Sequence, residues 1–600
     1  MGYVTFLLQP KERGMRLPLT MFFRSIKLIL LAIYLAFDHQ AIFERLTTFE
    51  QPFSLLLYLG LYGLLVLALL AAAFAPAAAP RLALAALLAV ASTALQSYQW
   101  ATGSPLDFPS FKMMVSSAAD ASDAMYQNGD TFAKAVGAAL VLFLALALPP
   151  KDFKLPFKMH WLLPAGSILG LSIMLYARGG EGTRALPAPI IPLSYAAIMG
   201  VEQLAEESGP RKAVAFQPAR SNLDRDIILI VDESIAPKYL DIENPEGVFS
   251  GLAVDRPDLR IFNYGVAASI TNCSVGSNLT LRFGGTRGNF QRMANSYPSI
   301  WAYAHKAGLR TVYLDGQRNN GRLQDGMTRP ERDEIDDFVQ LDGVSAIQRD
   351  HMLARLIAGR IANGQPELIL VNKVGAHFPV ADKYPVSATL FRPTPQRSAN
   401  LAVTVMDPLR GKQKGTPEEW RLYRNAYRNT LAWNVGGFFE ILLPKVDPAK
   451  AIIIYTSDHG QDLHERNNPG RTTHCVRSPF PEEGAVPLVV IDSPVSPRLD
   501  WQTNFEANRN ATSHYRIFPT LLALMGYATD DILPLYGPTL ASSVRDPMTF
   551  TSNYFATLGR KPTWVQLDPK KLSMPPRSDS PFLQNEPVLA SASAELRTQN

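Results

Sequence analysis

At 600 residues the chain is too long for one domain by the usual length prior, and its hydrophobic fraction of 47% averages two very different parts. A formal net charge of +5, with basic residues dispersed rather than gathered into a stripe, gives no support to a nucleic-acid partner. Only two cysteines occur, Cys273 and Cys475, which excludes a disulfide-stapled scaffold and requires a conventional core.

Apolar segments dominate the N-terminal part. Residues 53–74 (FSLLLYLGLYGLLVLALLAAAF) carry no charge over a length sufficient to cross a bilayer. Four further candidate spans flank them, at 19–37, 82–100, 135–148 and 161–176. The first contains Arg24 and Lys27, which would snorkel to the near interface, and the stretch from Ala135 is short. Five spans put the termini on opposite sides. Lys11, Arg13 and Arg16 before the first span, and Lys151, Lys154 and Lys158 before the last, place both segments in the cytoplasm. The chain after about residue 177 is then outside. No small-residue cleavage site closes the first apolar span, which argues against a cleavable signal peptide.

Domain 1–177 is therefore read as a five-span transmembrane domain, and 178–222 as a juxtamembrane helix and linker. Within the latter, IPLSYAAIMGVEQLAEES starts a helix at Pro192, with Leu193, Ala197, Val201 and Leu204 on one face. Two readings stand for it: a helix lying at the membrane surface, or one packed on the globular domain. From RDIILIVDES onward, apolar runs (IILIV, TVYL, ELILV, AIIIY, PLVVI) alternate with helix-like stretches such as PSIWAYAHKAG and RNAYRNTLAWNVGGFFEILL. That alternation predicts a mostly parallel sheet sandwiched by helices over 223–545. Residues 391–419 read as a long excursion, and 546–600 as a C-terminal extension, partly disordered.

Chemistry-bearing residues fall at the carboxyl ends of the predicted strands, where open α/β sheets keep their sites. AIIIYTSDHGQDL delivers Asp458 and His459, IILIVDES delivers Asp232 and Glu233, ELILVNKVGAHFP leads to His377, and His474 lies in the loop before PLVVI. Hard carboxylate oxygens beside imidazole nitrogens suit zinc or a similar divalent ion. Such a site favours phosphoryl or sulfuryl transfer from a nearby Ser or Thr nucleophile. YGVAASITNCSVGSNLTLRFGG is rich in hydroxyls and reads as a turn entering a helix, whose first amides favour an anion.

In order along the chain, IVDES, SITNCSVGS, VGAHFPVADKYP, YRNAYRNTLAW, YTSDHGQDL, THCVRSPFPEEGAVPLVV and SHYRIFPTLLALMGY resemble motifs of the bacterial phosphoethanolamine transferases. The resemblance covers nearly the whole chain. It implies an integral inner-membrane protein with five spans and a periplasmic catalytic domain of the alkaline phosphatase/sulfatase superfamily. The implied reaction moves phosphoethanolamine from a phospholipid donor to an envelope acceptor, such as lipid A, a core sugar or another glycan, through a phospho-threonine intermediate. Phosphoglycerol transfer, hydrolysis, and a catalytically silent lipid-sensing regulator are the alternatives.

Carried over by position, Glu233, Asp458 and His459 resemble the family's metal ligands, for one zinc with a second or another divalent ion as an extension. Thr271 falls where the nucleophilic, metal-bound threonine is expected, with Ser269 and Ser274 as rivals. His377 and His474 resemble histidines that stabilise charge on the transferred group or donate a proton. Departures are as informative: Asn372 stands where the family has an imidazole, and Arg428 where it has an acid. Asp232 is read as a turn-capping residue, His464 and Glu465 as a solvated helix face, and His514 as a packing residue of an amphipathic helix. Cys273 lies two residues after Thr271 and Cys475 one after His474, so both backbones are expected near the same metal centre, where an oxidising compartment would let the thiols pair. The favoured reading leaves them unpaired, because the family's disulfides lie elsewhere and a bridge beside the metal would crowd the substrate.

Overall fold

The structure is a computed structural model. It describes residues 19–572 apart from 50, 103–104, 117–120, 122–124, 126–127, 151–158, 179, 181, 206–209, 220–222, 255, 396, 398–415, 467–471, 477 and 555–560. The basic clusters at Lys11–Arg16 and Lys151–Lys158, most of the excursion 391–419 and the chain end after 572 therefore lie outside the described residues.

Among the described residues, four helices are long and apolar enough to cross a membrane: Pro52–Ala73, Ala78–Thr102, Gly129–Ala147 and His160–Ala177. A bent pair, Ser25–Ala36 with His39–Leu46 at 61°, is the fifth candidate. The span expected from Ala135 starts earlier, with Asp130 in the first turn, where a carboxylate complements the helix dipole. Lys27 is 1% exposed, and its ammonium donates to the carbonyls of Leu146 and Leu148 at the end of the Gly129–Ala147 helix, where the last carbonyls have no intrahelical donor.

The described residues form two compact units, and helix Ile191–Ala205 belongs to the unit of the N-terminal helices. Its buried face is Ile191, Ser194, Tyr195 and Ile198 rather than the predicted stripe. Tyr195 donates to the Leu106 carbonyl at 3.0 Å, and Val201 and Leu204 are left exposed.

The second unit is built on a seven-stranded sheet: β1 (Asp226–Asp232), β2 (Arg260–Ala268), β3 (Arg310–Asp315), β4 (Asp337–Gln340), β5 (Glu367–Asn372), β6 (Ala451–Ser457) and β7 (Ala485–Asp492). The order is β2-β7-β6-β1-β5-β3-β4, with β7 antiparallel to both its neighbours and the remaining pairs parallel. All five predicted runs are strands; β2 and β4 were not anticipated, being interrupted by polar residues on the sheet's outer positions. Alternation along each strand feeds two cores. Ile228, Ile230, Ile369, Val371, Ile453 and Tyr455 face one layer with Leu353 and Ile357 of helix Ala346–Ala362. Ile227, Leu229, Leu368, Leu370, Ile452 and Ile454 face the other with Trp301 and Phe518. Burial on both faces explains the near-continuous apolar runs.

This topology sets β1 between β5 and β6, with Asp232 opposite Ser457 and Val231 opposite Asn372. The loops that follow these three central strands therefore leave the sheet side by side.

Candidate active site

Glu233, immediately after β1, and Asp458 with His459, immediately after β6, are brought together as the sequence predicts. Each offers a ligand atom, and those atoms lie within 4.8 Å of one another. His459 Nε2 is 3.5 Å from Glu233 Oε1 and 3.6 Å from Asp458 Oδ2. The backbone holds the set rigidly: the Ser234 and His459 amides both donate to Asp458 Oδ1, at 3.0 and 2.7 Å. Ser234 takes a left-handed φ of 62°, and its hydroxyl donates to Glu233 Oε1 at 2.7 Å. His459 Nδ1 faces the Gly460 carbonyl at 2.8 Å, which leaves Nε2 as the nitrogen aimed into the site.

Electrostatics describe a site with too much negative charge for its burial. Asp458 is pushed well above the usual carboxylate range, first by burial and then by the charge of Glu233. Burial also opposes ionisation of Glu233, but His459 and then His377 outweigh it and bring that carboxyl down to about 2. Asp458 Oδ2 is buried without a hydrogen-bond partner. An orphaned carboxylate oxygen, a second carboxylate and a lone-pair imidazole nitrogen fit a divalent cation such as zinc.

The hydroxyl that reaches this cluster is Ser274. Its Oγ lies 3.4 Å from Glu233 Oε2 and 3.3 Å from His459 Nε2. Ser274 opens helix Ser274–Phe283, so the first-turn amides surround the same point. Thr271 sits just ahead of that helix, 2% exposed, and its hydroxyl is 3.4 Å from Asn272 Oδ1. Ser269 donates to the Thr271 carbonyl at 2.8 Å. Among the described residues, neither is hydrogen-bonded to Glu233, Asp458 or His459.

His377 and His474 flank the cluster. The His474 ring stacks on His459 with centroids 4.3 Å apart, and its Nδ1 is 2.9 Å from Thr473 Oγ1. Burial, then the neighbouring His459, pushes its imidazole down to about 3. His377 Nδ1 faces the Phe378 carbonyl at 2.7 Å, and burial lowers its imidazole against the pull of Glu233. Both rings are therefore neutral near pH 7. His377 also lines a cleft of about 350 Å³, with Gln317, Arg318, Arg322, Arg349 and Lys383 around it.

Gln317 is a site residue the sequence reading missed. Its side-chain amide donates to Glu233 Oε2 at 3.2 Å and to the Lys373 carbonyl at 2.8 Å, and lies 3.4 Å from Asn372 Oδ1. The signal was present, since Gln317 follows TVYLD at the carboxyl end of a recognised strand. Asn372 itself is 1% exposed, with its Nδ2 unpartnered.

Asp232 is not among the clustered ligands. Its carboxylate accepts from the Glu233 amide at 3.0 Å, from Lys373 Nζ at 2.6 Å and from the Tyr455 hydroxyl at 3.0 Å. Gly375 permits this closeness: at φ 52°, a Cβ there would collide with Asp232 and the Glu233 backbone. Arg428 lies over the rings of Tyr239 and Phe391.

Two expectations are corrected here. His464 and Glu465 are not a solvated helix face, because the chain after His459 is an irregular loop folded beneath helix Pro417–Leu431. His464 is 2% exposed and packs against the Trp420 ring, while Glu465 accepts from the Tyr239 hydroxyl at 2.9 Å. Cys273 and Cys475 are joined in a disulfide across 202 residues, with their Cα atoms 5.0 Å apart. The Cys475 amide donates to the Asn272 carbonyl at 3.0 Å, which sets the two backbones side by side. His514 packs as expected, though on a 3-10 turn, with Nε2 2.8 Å from Thr456 Oγ1.

Comparison with known proteins follows the same lines. The sulfatase family model matches residues 262–527. Kdo(2)-lipid A phosphoethanolamine 7''-transferase of Escherichia coli is 24% identical over 180 residues, which is 29% of this chain and 28% of that protein. The integral membrane lipooligosaccharide phosphoethanolamine transferase A of Neisseria meningitidis superposes with a TM-score of 0.57 at 16% identity, over 85% of this chain and 95% of that one. The zinc complex of the periplasmic domain of EptC from E. coli gives a TM-score of 0.45 at 16% identity, over 61% of this chain and 98% of that one. Residues 262–527 are thus similar to the sulfatase family, and most of the chain shares its fold with the membrane-anchored transferase of N. meningitidis.

Proposed function

We propose that this protein is a metal-dependent transferase that moves phosphoethanolamine from a membrane phospholipid to an envelope glycolipid of the lipid A type. Ser274 is the observation that carries the reading, a hydroxyl at a helix N-terminus within reach of Glu233 and His459. It takes the role that the sequence reading gave to Thr271, and the covalent intermediate becomes a phospho-serine.

Glu233, Ser274, Asp458 and His459 would hold one zinc ion. When bound, zinc offsets the excess carboxylate charge and favours the ionised form of a neighbouring hydroxyl. Ser274 Oγ attacks the donor phosphorus as its proton leaves, the bond from phosphorus to the diacylglycerol oxygen breaks, and that oxygen takes up a proton. The acceptor oxygen then attacks the phosphoserine and restores the Ser274 hydroxyl. First-turn amides of helix Ser274–Phe283 receive the phosphoryl oxygens. His474, with Nδ1 on the Thr473 hydroxyl, donates to the same group from Nε2, His377 presents a lone-pair Nε2, and Gln317 holds Glu233 in place, with a second metal at the two histidines as an extension. The cleft beside His377 has Arg318, Arg322, Arg349 and Lys383 against Asp382, a lining suited to an anionic acceptor.

The apolar helices bring the catalytic domain to a two-dimensional pool of a donor that is sparingly soluble in water. Inner-membrane anchorage with the catalytic domain in the periplasm accords with this substrate pair. Mass spectrometry of envelope lipids from cells with and without the protein tests the reading. A phosphoethanolamine increment that depends on the protein and vanishes in Ser274→Ala is expected; identical lipid profiles would refute it.

A further inference from the structure

The chain between His459 and the 3-10 turn at Pro481–Gly484 contains no helix or strand among its described residues, yet it carries His474. Irregular backbone with few internal hydrogen bonds holds a side chain poorly, and misplacement by about 1 Å can cost roughly 100-fold in rate. Four links tie this loop to the residues just before Ser274. The disulfide joins Cys273, the residue before Ser274, to Cys475, the residue after His474. The Cys475 amide donates to the Asn272 carbonyl at 3.0 Å. Asn272 Nδ2 donates to the Val476 carbonyl at 2.9 Å and to Glu483 Oε2 at 2.8 Å. Glu483 in turn accepts at its carbonyl from the Gly460 amide, 3.0 Å away and next to His459.

From this we infer that the Cys273–Cys475 bridge and Asn272 are a positioning clamp that fixes the His474 imidazole against His459, whose Nε2 lies 3.3 Å from Ser274 Oγ. The clamp rests on the functional reading above, in which Ser274 is the nucleophile and His474 faces the transferred group. The links run from Asn272 and Cys273, just before Ser274, to Cys475 and Val476, just after His474, with Glu483 joining them to Gly460 beside His459. Neither cysteine nor Asn272 touches substrate in this account. They act through Ser274 and His474, whose separation the bridge limits.

The test uses full-length protein in detergent with phosphatidylethanolamine micelles, following diacylglycerol release. Wild type that releases none refutes the functional reading by itself, before any variant is made. With active wild type, the double variant Cys273→Ser/Cys475→Ser and the single variant Asn272→Ala should each lower kcat by about 10-fold or more, with KM within about twofold and zinc content unchanged. Asn272→Ala retains the disulfide, so it answers the question if the cysteine variant fails to fold. A staple that serves stability alone predicts a lower Tm with unchanged kcat in the folded fraction, and that result overturns the proposal. So does a finding of two free thiols when untreated native protein is denatured and labelled.

Discussion

Lys373 Nζ lies 2.6 Å from Asp232 Oδ2, with both side chains fully buried, and 3.6 Å from Asp350 Oδ2. The ammonium also donates to the Asn434 carbonyl at 2.7 Å, and Asp350 accepts the amides of Val374 and Gly375 at 2.8 and 3.0 Å. One buried cation thus joins the end of β1 to the loop after β5, directly beneath Glu233. Removing it leaves two carboxylates in a dry interior, which costs about 3–5 kcal/mol. Lys373→Met should therefore lower the Tm of the globular domain sharply. Asp232→Asn should lower Tm less and leave metal content intact; loss of metal in folded Asp232→Asn protein would return Asp232 to the ligand set.

Ser274 and Thr271 are separated by a peptide map. Donor-treated wild type should carry its phosphoethanolamine on Ser274, within the stretch Ala267–Arg282. Ser274→Ala should lose transfer by about 1,000-fold or more with zinc retained on its three other ligands. Thr271→Ala should stay within about tenfold of wild type, since its hydroxyl reaches only Asn272. An adduct on Thr271 or Ser269 would reverse the assignment.

Elemental analysis of purified protein should find about one zinc per chain, the usual occupancy of a catalytic site with this donor set. The Glu233→Ala/Asp458→Ala variant should lose it. Removing the two carboxylates also removes the repulsion that burial imposes, so the metal-free variant should remain folded. Metal content unaffected by the double change would locate the ion elsewhere.

Which side chains would meet was legible where strand ends announced them. Asp458, His459 and Glu233 stand where apolar runs break into polar residues, and a run buried on both faces has only one way to end at a site. Thr271 and Ser274 could not be separated in the same way. They lie in a turn whose helix start has no capping side chain, and a shift of three residues decides which hydroxyl faces the cluster. Gln317 was passed over because neutral amides draw no notice in a search for ligands. That Cys273 and Cys475 are neighbours was legible from their places beside Thr271 and His474, but the bridge itself was disfavoured on the ground that it would crowd the substrate, and the structure forms it across 202 residues. His464 and Glu465 look polar in sequence but are covered by Trp420 and Tyr239, contacts that arise from a helix elsewhere in the chain.

At the opposite end of β1 from the site, Asp226 gives the fold a pH dependence of its own. Burial pushes its carboxyl up to about 7, with the hydrogen bond from the Glu367 amide opposing and the Glu367 carboxylate adding to the shift. An unfolded chain would titrate this group near 3.9. Between about pH 4 and pH 7 the folded protein therefore holds a proton that the unfolded chain has released, so the contribution to stability falls as pH rises through that window and levels off above it. Asp226→Asn keeps an oxygen for the Glu367 amide, 2.9 Å away, and removes the titration. Its Tm should match wild type near pH 4 and exceed it at pH 8. Parallel Tm curves for the two proteins across that range would show that Asp226 ionises normally in the fold.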